Sequence, residues 1–464
     1  MGNRKRRQRK SVASRGGGTD ESRGGGARDA RGGDAPRRAL RVIAIVYLFV
    51  AASCAVSIPL GKGPDETAHV RYIEFVARER GLPVFDRANP DPDYEFHQPP
   101  LYYAMAAPVY ALAGGNESAQ LALRFFTVLL SLPLIYLTFG LGRLLGPGEP
   151  WAAAAAAGIV AFLPMQLSVA TTIGNDALTE VLAAGVLLAL VSYLRGAEGG
   201  REEGEERPPG VGAMVAVGVM IGLAMLTKSI GVLLFPVAWV AAGLAARGRE
   251  GYRWRLLARD VGVVTGVALA LCGWWLVRNQ MLYGDLLAQR AFLDAFEGLR
   301  PSPQSFMEKY EVPSVMSYVG QVMIWTMASV TGVFGPVHGN RFAFFPYYVY
   351  FATGLMAAAG AIGFARYWER ANPAGWQRQG WGICGLVAVL LLGSFVRFNF
   401  SFFQAQARYM FPVLPAAALA FGLGVQALFP ERLGRYMLVA VVVLVALLAF
   451  VGVHLWIAPQ FPRA

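Results

Sequence analysis

Long apolar runs of about 20 residues alternate along the chain with short polar turns. Runs of this length match the thickness of a bilayer's hydrocarbon core. They are continuous, and they lack the alternation with a period of two that strands of a membrane barrel require. The pattern therefore predicts an all-α polytopic membrane protein. Its spans are expected near residues 39–60, 121–143, 151–171, 177–194, 211–227, 229–246, 261–277, 345–365, 381–400, 409–428 and 436–457.

One apolar stretch, residues 315–335, is interrupted by Ser, Gly, Gln and Thr. Arginines cluster at 247–259, 366–378 and 432–435, between predicted spans. The positive-inside rule places all three clusters in the cytoplasm with the N-terminus only if 315–335 does not cross the membrane. This predicts about 11 spans and a C-terminus on the outer side. Residues 285–340 then form a second large outer region with an interfacial or re-entrant helix.

The formal net charge of +12 comes mostly from the N-terminus, where residues 1–41 hold 13 Lys and Arg against 4 Asp and Glu. This segment is rich in Gly, Ser and Arg and has too few apolar residues to fold by itself. We interpret it as a disordered, basic cytoplasmic tail that orients the first span and contacts anionic membrane lipids. That role accounts for the charge, so no nucleic-acid partner is expected. Residues 42–464 form the membrane domain.

The first outer loop, residues 61–120, concentrates carboxylates and two of the four histidines at the membrane edge, where ionisable groups are functional candidates. An amphipathic helix is expected from Glu66 to Arg80, and a helix lying in the membrane surface is expected in the apolar stretch from Gln98 to Ala113, with prolines at its start. Asp65 has two interpretations that can both hold: it caps the first helix through its carboxylate, and it is a general base, which capping amides would weaken by lowering its pKa. Asp65 and His69 are four residues apart, so the pair either forms a hydrogen bond or binds a metal or a substrate.

Further charged residues are predicted at the same membrane face. Asp176 lies in a short turn, where Asp is a common residue, so its position alone does not indicate a functional site. Taken one at a time, Lys228, Arg278 and Arg408 are each explained as an interfacial basic residue whose side chain snorkels to the membrane surface. Together, in a chain with few charges outside its tail, these three cations suit a phosphate group at a lipid headgroup.

Several motifs resemble those of one superfamily. The motifs are Asp65-Glu66, Pro99-Pro100-Leu101-Tyr102, Asp176, Arg278-Asn279 with Tyr283-Gly284, and Gln406-Ala407-Arg408-Tyr409. In order and spacing they resemble the GT-C membrane glycosyltransferases, especially the glycosyltransferase family 39 branch of protein O-mannosyltransferases, aminoarabinose transferases and uncharacterised bacterial relatives. The motifs cover about a tenth of the chain. One departs from the family pattern, because Gln98, preceded by His97, occupies a position that is often basic.

The resemblance implies transfer of a hexose or pentose, with inversion, from a polyprenyl-phosphate donor to an acceptor hydroxyl at the outer membrane face. Asp65 would be the general base. The substrate-binding and donor-binding residues would be Glu66, His69, His97, Gln98, Asp176, Lys228, Arg278, Arg408 and Tyr409. The acceptor would be a cell-envelope glycan, lipid or protein, and the use of a divalent cation stays open.

The composition, with 42 basic residues that are mostly Arg, is typical of a GC-rich bacterial genome and hence of a bacterial plasma membrane. The alternative function is a membrane transporter or lipid flippase without glycosyl transfer. That class would place ionisable residues near mid-membrane and show repeated halves with broken helices.

Overall fold

The computed structural model describes residues 23–202, 210–247, 251–338 and 341–462, and these form helices and one short hairpin. The helices are α1 Arg23–Ser57, α2 Glu66–Glu79, α3 Leu101–Leu112, α4 Glu117–Leu145, α5 Pro150–Phe162, α6 Pro164–Ala170, α7 Asp176–Glu202, α8 Val211–Thr227, α9 Leu234–Ala245, α10 Trp254–Tyr283, α11 Gln289–Ala295, α12 Pro303–Lys309, α13 Val315–Thr331, α14 Tyr347–Ala371, α15 Gly375–Asn399, α16 Leu414–Leu428 and α17 Glu431–Leu447. Short 3-10 turns cover Tyr94–His97, Ser229–Leu233, Ala407–Val413 and Ala458–Gln460, and α17 continues as a π-helix over Leu448–Ile457.

Eight of the described helices are long and apolar enough to cross a membrane, which confirms the polytopic helical class. A ninth candidate is α5 with α6, bent by 62° where Pro164 follows Leu163. Proline breaks a helix there because it has no N–H and its ring clashes with the preceding turn. Residues 211–227 and 229–245 form shorter apolar helices at two other predicted spans. The count of eleven spans therefore stays a prediction.

The bundle core is packed through small side chains. Residues 152–157 of α5 are six consecutive buried alanines. A Cβ atom on Gly424 of α16 would overlap the carbonyl oxygen of Gly360 of α14, and one on Gly363 of α14 would overlap the carbonyl oxygen of Gly424. Close backbone approach is how helices associate in a lipid environment, where apolar burial alone does not hold them together.

The two interfacial helices predicted in the first outer loop are present as α2 and α3. They pack against each other, with the Tyr72 ring stacked on the Tyr103 ring at a centroid distance of 3.6 Å. Asn116 caps the next helix, α4, because its side chain accepts from the Ser118 amide. The loop is therefore an ordered platform on the bundle.

The second outer region departs in part from the prediction of an all-α fold. It holds α11, α12 and α13, and then an antiparallel hairpin of β1 (Val333–His338) and β2 (Arg341–Phe344). Valines and phenylalanines favour these strands, whereas Gly335 and Pro336 within the first strand weaken the strand signal in the sequence. Residues 315–331 are helical, as expected. Whether this helix crosses the membrane stays a prediction.

The N-terminal helix starts earlier than expected. Helix α1 begins at Arg23, inside the tail predicted to be disordered over residues 1–41. Once an apolar span is helical, each residue added to its end gains a hydrogen bond, which explains the extension. Residues 1–22 lie outside the described residues.

Candidate active site

Arg124 of α4 holds together the loop that leads into α2. It is 1% exposed and donates to the carbonyl oxygens of Ala55, Ile58 and Pro59 at 2.7, 2.5 and 2.9 Å. Its Nε and Nη2 atoms also donate to the two carboxylate oxygens of Glu66, both at 2.7 Å. The guanidinium thus ties the end of α1 and the following loop to the first residue of α2.

Glu66, predicted to bind the donor, has no surface left for a ligand. Besides the pairing with Arg124, its oxygens accept from the backbone amides of Gly63 at 3.1 Å and Ile173 at 3.3 Å. Its side chain is fully buried. The structure therefore gives Glu66 a structural role. A buried carboxylate is stable in this setting because every lone pair has a partner.

Asp65, the preceding residue, faces different partners. Its backbone is left-handed, with φ of 57°, and its side chain makes no capping hydrogen bond to α2, so the predicted N-cap contact is wrong. Its Oδ2 accepts from Nη2 of Arg408 at 2.6 Å, and its Oδ1 accepts from the Tyr94 hydroxyl at 3.0 Å. About 30% of the side chain is exposed. Asp65 is therefore held in place and still accessible.

Four of the predicted residues form a continuous chain of opposite charges, which we call the charged chain: Asp65, Arg408, Asp176 and Lys228. Arg408 donates from Nη1 to Oδ2 of Asp176 at 3.1 Å, and Lys228 donates to Oδ1 of the same carboxylate. The Arg408 side chain is 5% exposed and those of Lys228 and Asp176 are 18% exposed. The charged chain contains two carboxylates and two cationic side chains, so its net charge is zero.

The charged chain sets the protonation of Asp65. Burial alone would raise the pKa of Asp65, but the Arg408 guanidinium outweighs burial and holds the pKa well below its usual range. Asp65 is therefore a carboxylate throughout the neutral range. In this arrangement it is also a weak base, because its charge is already stabilised by Arg408.

His69 and Glu95 are buried beside the charged chain and are uncharged near neutral pH. Burial lowers the pKa of His69 to about 4. Burial, with the nearby Asp65 carboxylate, raises the pKa of Glu95 to about 8. His69 Nδ1 is hydrogen bonded to the Tyr103 hydroxyl at 2.8 Å and lies 3.9 Å from Glu95 Oε2.

His97 and Gln98 were also predicted in the site. His97 donates to the Tyr94 carbonyl at 2.5 Å, and its ring packs 4.4 Å from the Phe292 centroid. Burial lowers the pKa of His97 to about 4, so this residue is a neutral member of an aromatic cluster. The Gln98 side chain accepts from the Asn175 amide at 3.4 Å, next to Asp176.

The two remaining predicted residues have different neighbours. Arg278 of α10 donates to the Pro83 carbonyl at 2.7 Å and lies 4.8 Å from the Trp275 ring, so it supports the loop after α2. The Tyr409 ring lies 5.2 Å from the Arg408 guanidinium and 5.9 Å from Lys228 Nζ. Tyr409 therefore flanks both cations of the charged chain.

No group of three His, Cys, Asp or Glu side chains among the described residues could hold a metal ion. The acids of the charged chain are already bound to Arg408 and Lys228. A divalent cation bound by these two acids would have to displace one of these cations.

Comparison with known proteins supports the resemblance seen in the sequence. The family model of dolichyl-phosphate-mannose-protein mannosyltransferase matches residues 99–284, less than half of the chain. No curated protein matches this sequence significantly.

Solved structures share the fold. The apo oligosaccharyltransferase of Archaeoglobus fulgidus is 15% identical with a TM-score of 0.55, and the match covers 93% of this chain and 57% of that one. ArnT from Cupriavidus metallidurans, bound to undecaprenyl phosphate, is 20% identical with a TM-score of 0.50, covering 88% and 64%. The Archaeoglobus fulgidus enzyme AglB in complex with an inhibitory peptide and a dolichol-phosphate is 14% identical with a TM-score of 0.51, covering 91% and 56%. This chain therefore shares the fold of these solved structures, and it spans between half and two thirds of their length.

Proposed function

We propose that this protein is a glycosyltransferase that moves a sugar from a polyprenyl-phosphate donor to an acceptor hydroxyl, with inversion, at the outer face of a bacterial plasma membrane. The observation that carries the proposal is the charged chain, in which the accessible carboxylate of Asp65 is paired with Arg408, and Asp176 links Arg408 to a second cation, Lys228. Support comes from the matching mannosyltransferase family model and from two neighbours of the same fold that contain a polyprenyl phosphate.

Asp65 acts as the general base in this proposal. It takes the proton of the acceptor hydroxyl while the hydroxyl oxygen attacks the anomeric carbon of the donor. The bond between that carbon and the phosphate oxygen breaks, and polyprenyl phosphate leaves with the bonding electrons. A single displacement of this kind inverts the anomeric centre and needs one base.

Arg408 and Lys228 stabilise the leaving phosphate. The phosphodiester of the donor carries one negative charge, and the departing phosphate gains a second. Cations placed in advance where negative charge develops lower the barrier most effectively when water is excluded. Both side chains are largely buried, and the Tyr409 ring beside them limits the access of water.

Donor binding would also activate Asp65. In the structure Arg408 serves both acids of the charged chain, and its contact with Asp65 lowers the pKa of that carboxyl. A donor phosphate competes for the same guanidinium. Withdrawing Arg408 towards the phosphate raises the pKa of Asp65 towards its ordinary value and makes it a stronger base only when the donor is present.

We further propose that the N-terminus is cytoplasmic and the C-terminus is outside, which places the charged chain at the outer face. The acceptor is a hydroxyl of a cell-envelope glycan, lipid or protein. Both hexosyl and pentosyl donors remain candidates.

The experiment that tests the function uses purified protein in lipid nanodiscs with radiolabelled polyprenyl-phosphate mannose, glucose and arabinose, and membrane extract as the acceptor source. We expect consumption of at least one donor with release of polyprenyl phosphate. The same protein in liposomes is assayed for transbilayer movement of each lipid. Lipid movement with no release of polyprenyl phosphate would instead establish the transporter or flippase alternative.

A further inference from the structure

Glu95 is a buried carboxyl group for which the proposed mechanism has no use. It lies in the 3-10 turn Tyr94–His97 and is 6% exposed. Its Oε2 atom is buried and has no hydrogen-bond partner among the described residues. Buried polar atoms are nearly always paired, so an unpaired one at a candidate active site needs an explanation.

The titratable and charged groups around Glu95 come from five other parts of the fold, and most belong to the site already described. They are Asp65, His69, Tyr72, Tyr103, Asp176, Lys228 and Arg408, to which Tyr94 of the same turn is added. His69 Nδ1 lies 3.9 Å from Glu95 Oε2, which is too far for a hydrogen bond. Within the described part of the chain, no Lys or Arg forms an ion pair with Glu95. Its carboxyl group therefore lies beside the charged chain without being a member of it.

The site thus has a charged part and a neutral part. Burial and the Asp65 carboxylate raise the pKa of Glu95 to about 8, and burial lowers the pKa of His69 to about 4, so both are uncharged at neutral pH. A protonated carboxyl group can donate one hydrogen bond and accept others. A neutral hydroxyl matches this capacity, whereas a phosphate is better matched by the two cations of the charged chain.

We propose that Glu95 recognises the sugar of the donor, with its carboxyl group hydrogen bonded to a sugar hydroxyl while Arg408 and Lys228 hold the phosphate. The inference rests on the proposed function. The sugar must lie between the phosphate and the base, since Asp65 serves the oxygen that attacks its anomeric carbon. Glu95 has a buried oxygen without a partner among the described residues and interacts electrostatically with Asp65, so it is in position to contact the ring. In this role Glu95 determines sugar specificity, and it is not the base.

The test measures binding, separately from turnover, of sugar-free undecaprenyl phosphate and of undecaprenyl-phosphate mannose, glucose and arabinose in nanodiscs. The variants are Glu95→Ala and Glu95→Gln, with the exposed Glu79→Ala on α2 as a matched control. Glu95→Ala should weaken binding of the recognised sugar donor about tenfold and leave the affinity for undecaprenyl phosphate unchanged. Glu95→Gln should keep most of the affinity, because an amide also donates and accepts.

A second measurement separates recognition from a merely structural role. Raising the pH from 7 to 9 ionises Glu95 and removes its donor hydrogen, so the wild type should lose affinity for the sugar donor while Glu95→Gln does not. Equal weakening of both ligands by Glu95→Ala would overturn the inference, and so would a wild type that binds no sugar donor better than undecaprenyl phosphate. A wild type that binds neither ligand would instead contradict the proposed function.

Discussion

Asp65 and Glu66 are adjacent acids in one loop, and the structure places them in opposite situations. Glu66 is fully buried and paired with Arg124 and two backbone amides. Asp65 is about 30% exposed and shares Arg408 with a second acid, Asp176. One carboxylate is saturated and closed to ligands, whereas the other is oriented and open. The comparison teaches that the position of Asp65 depends on the buried pairing of Glu66.

The backbone explains how the dependence works. Asp65 adopts a left-handed conformation that costs an L-residue roughly 1–2 kcal/mol. The neighbouring Glu66–Arg124 pair, with three backbone carbonyls bound to the same guanidinium, holds the loop in this shape. The left-handed backbone directs the Asp65 side chain to Arg408 and away from α2. We infer that the buried Glu66–Arg124 pair offsets the free-energy cost of this backbone conformation.

The largest expected effect is on folding. Glu66→Gln leaves Arg124 buried without a charged partner, which should lower the free energy of unfolding by about 3–5 kcal/mol. Thermal unfolding in detergent measures the loss, and the exposed Glu79→Gln on the same helix is the control. If Glu66→Gln unfolds normally and binds the donor weakly, Glu66 is a ligand-binding residue, and the contrast drawn here between Glu66 and Asp65 is wrong.

The next effect is on donor binding. Arg408→Gln should reduce affinity for undecaprenyl phosphate by about 10- to 100-fold, because a charge-assisted hydrogen bond to phosphate is lost. Arg397→Gln, an exposed arginine of α15, should bind normally. If both variants bind equally well, Arg408 only orients Asp65, and the phosphate lies elsewhere.

Lys228→Met should have a smaller effect, about tenfold on affinity, because Arg408 still faces the phosphate and Asp176 keeps one cation. The methionine preserves the length and apolar stem of the lysine side chain. Isothermal binding measurements at two salt concentrations check that the loss is electrostatic. An effect larger than that of Arg408→Gln would reverse the assigned order of the two cations.

The smallest effect is a shift in pH dependence. A base must be deprotonated, so activity falls as the pH drops through its pKa. The acidic side of the pH profile of kcat/KM reports the pKa of Asp65 in the free enzyme, where Arg408 depresses it. The acidic side of the profile of kcat reports the pKa of Asp65 in the donor complex. We expect the acid limb of kcat at a higher pH than that of kcat/KM. Coincident limbs would show that donor binding does not withdraw Arg408 from Asp65.

Much of the helical fold was predictable because apolar runs of membrane length have few alternative structures. The helices of the first outer loop were also predictable from their terminal signals, such as the glycines after Ala113. The hairpin at 333–344 was not, because it depends on packing of a short segment against neighbours remote in sequence. The bend at Pro164 was missed because the apolar run continues through it.

The site was predictable only as a set of charges at one membrane face. Asp65, Asp176, Lys228 and Arg408 come from four separate parts of the chain, and no spacing in the sequence shows which charges pair. Arg124 could have been noticed as a lone arginine just inside a span. Glu95 carried no signal beyond its place near His97, because its burial and lack of a partner arise from the fold.

The most direct test of the central claim compares donor binding and donor turnover in the Asp65→Asn protein. Asparagine keeps the shape of the side chain and cannot take up a proton as a carboxylate does. We predict normal unfolding and an affinity for undecaprenyl phosphate within a few fold of the wild type. The rate of sugar transfer should fall by about 100-fold or more. Wild-type transfer rates in Asp65→Asn would contradict the account, because the accessible acid of the pair would then not be the base.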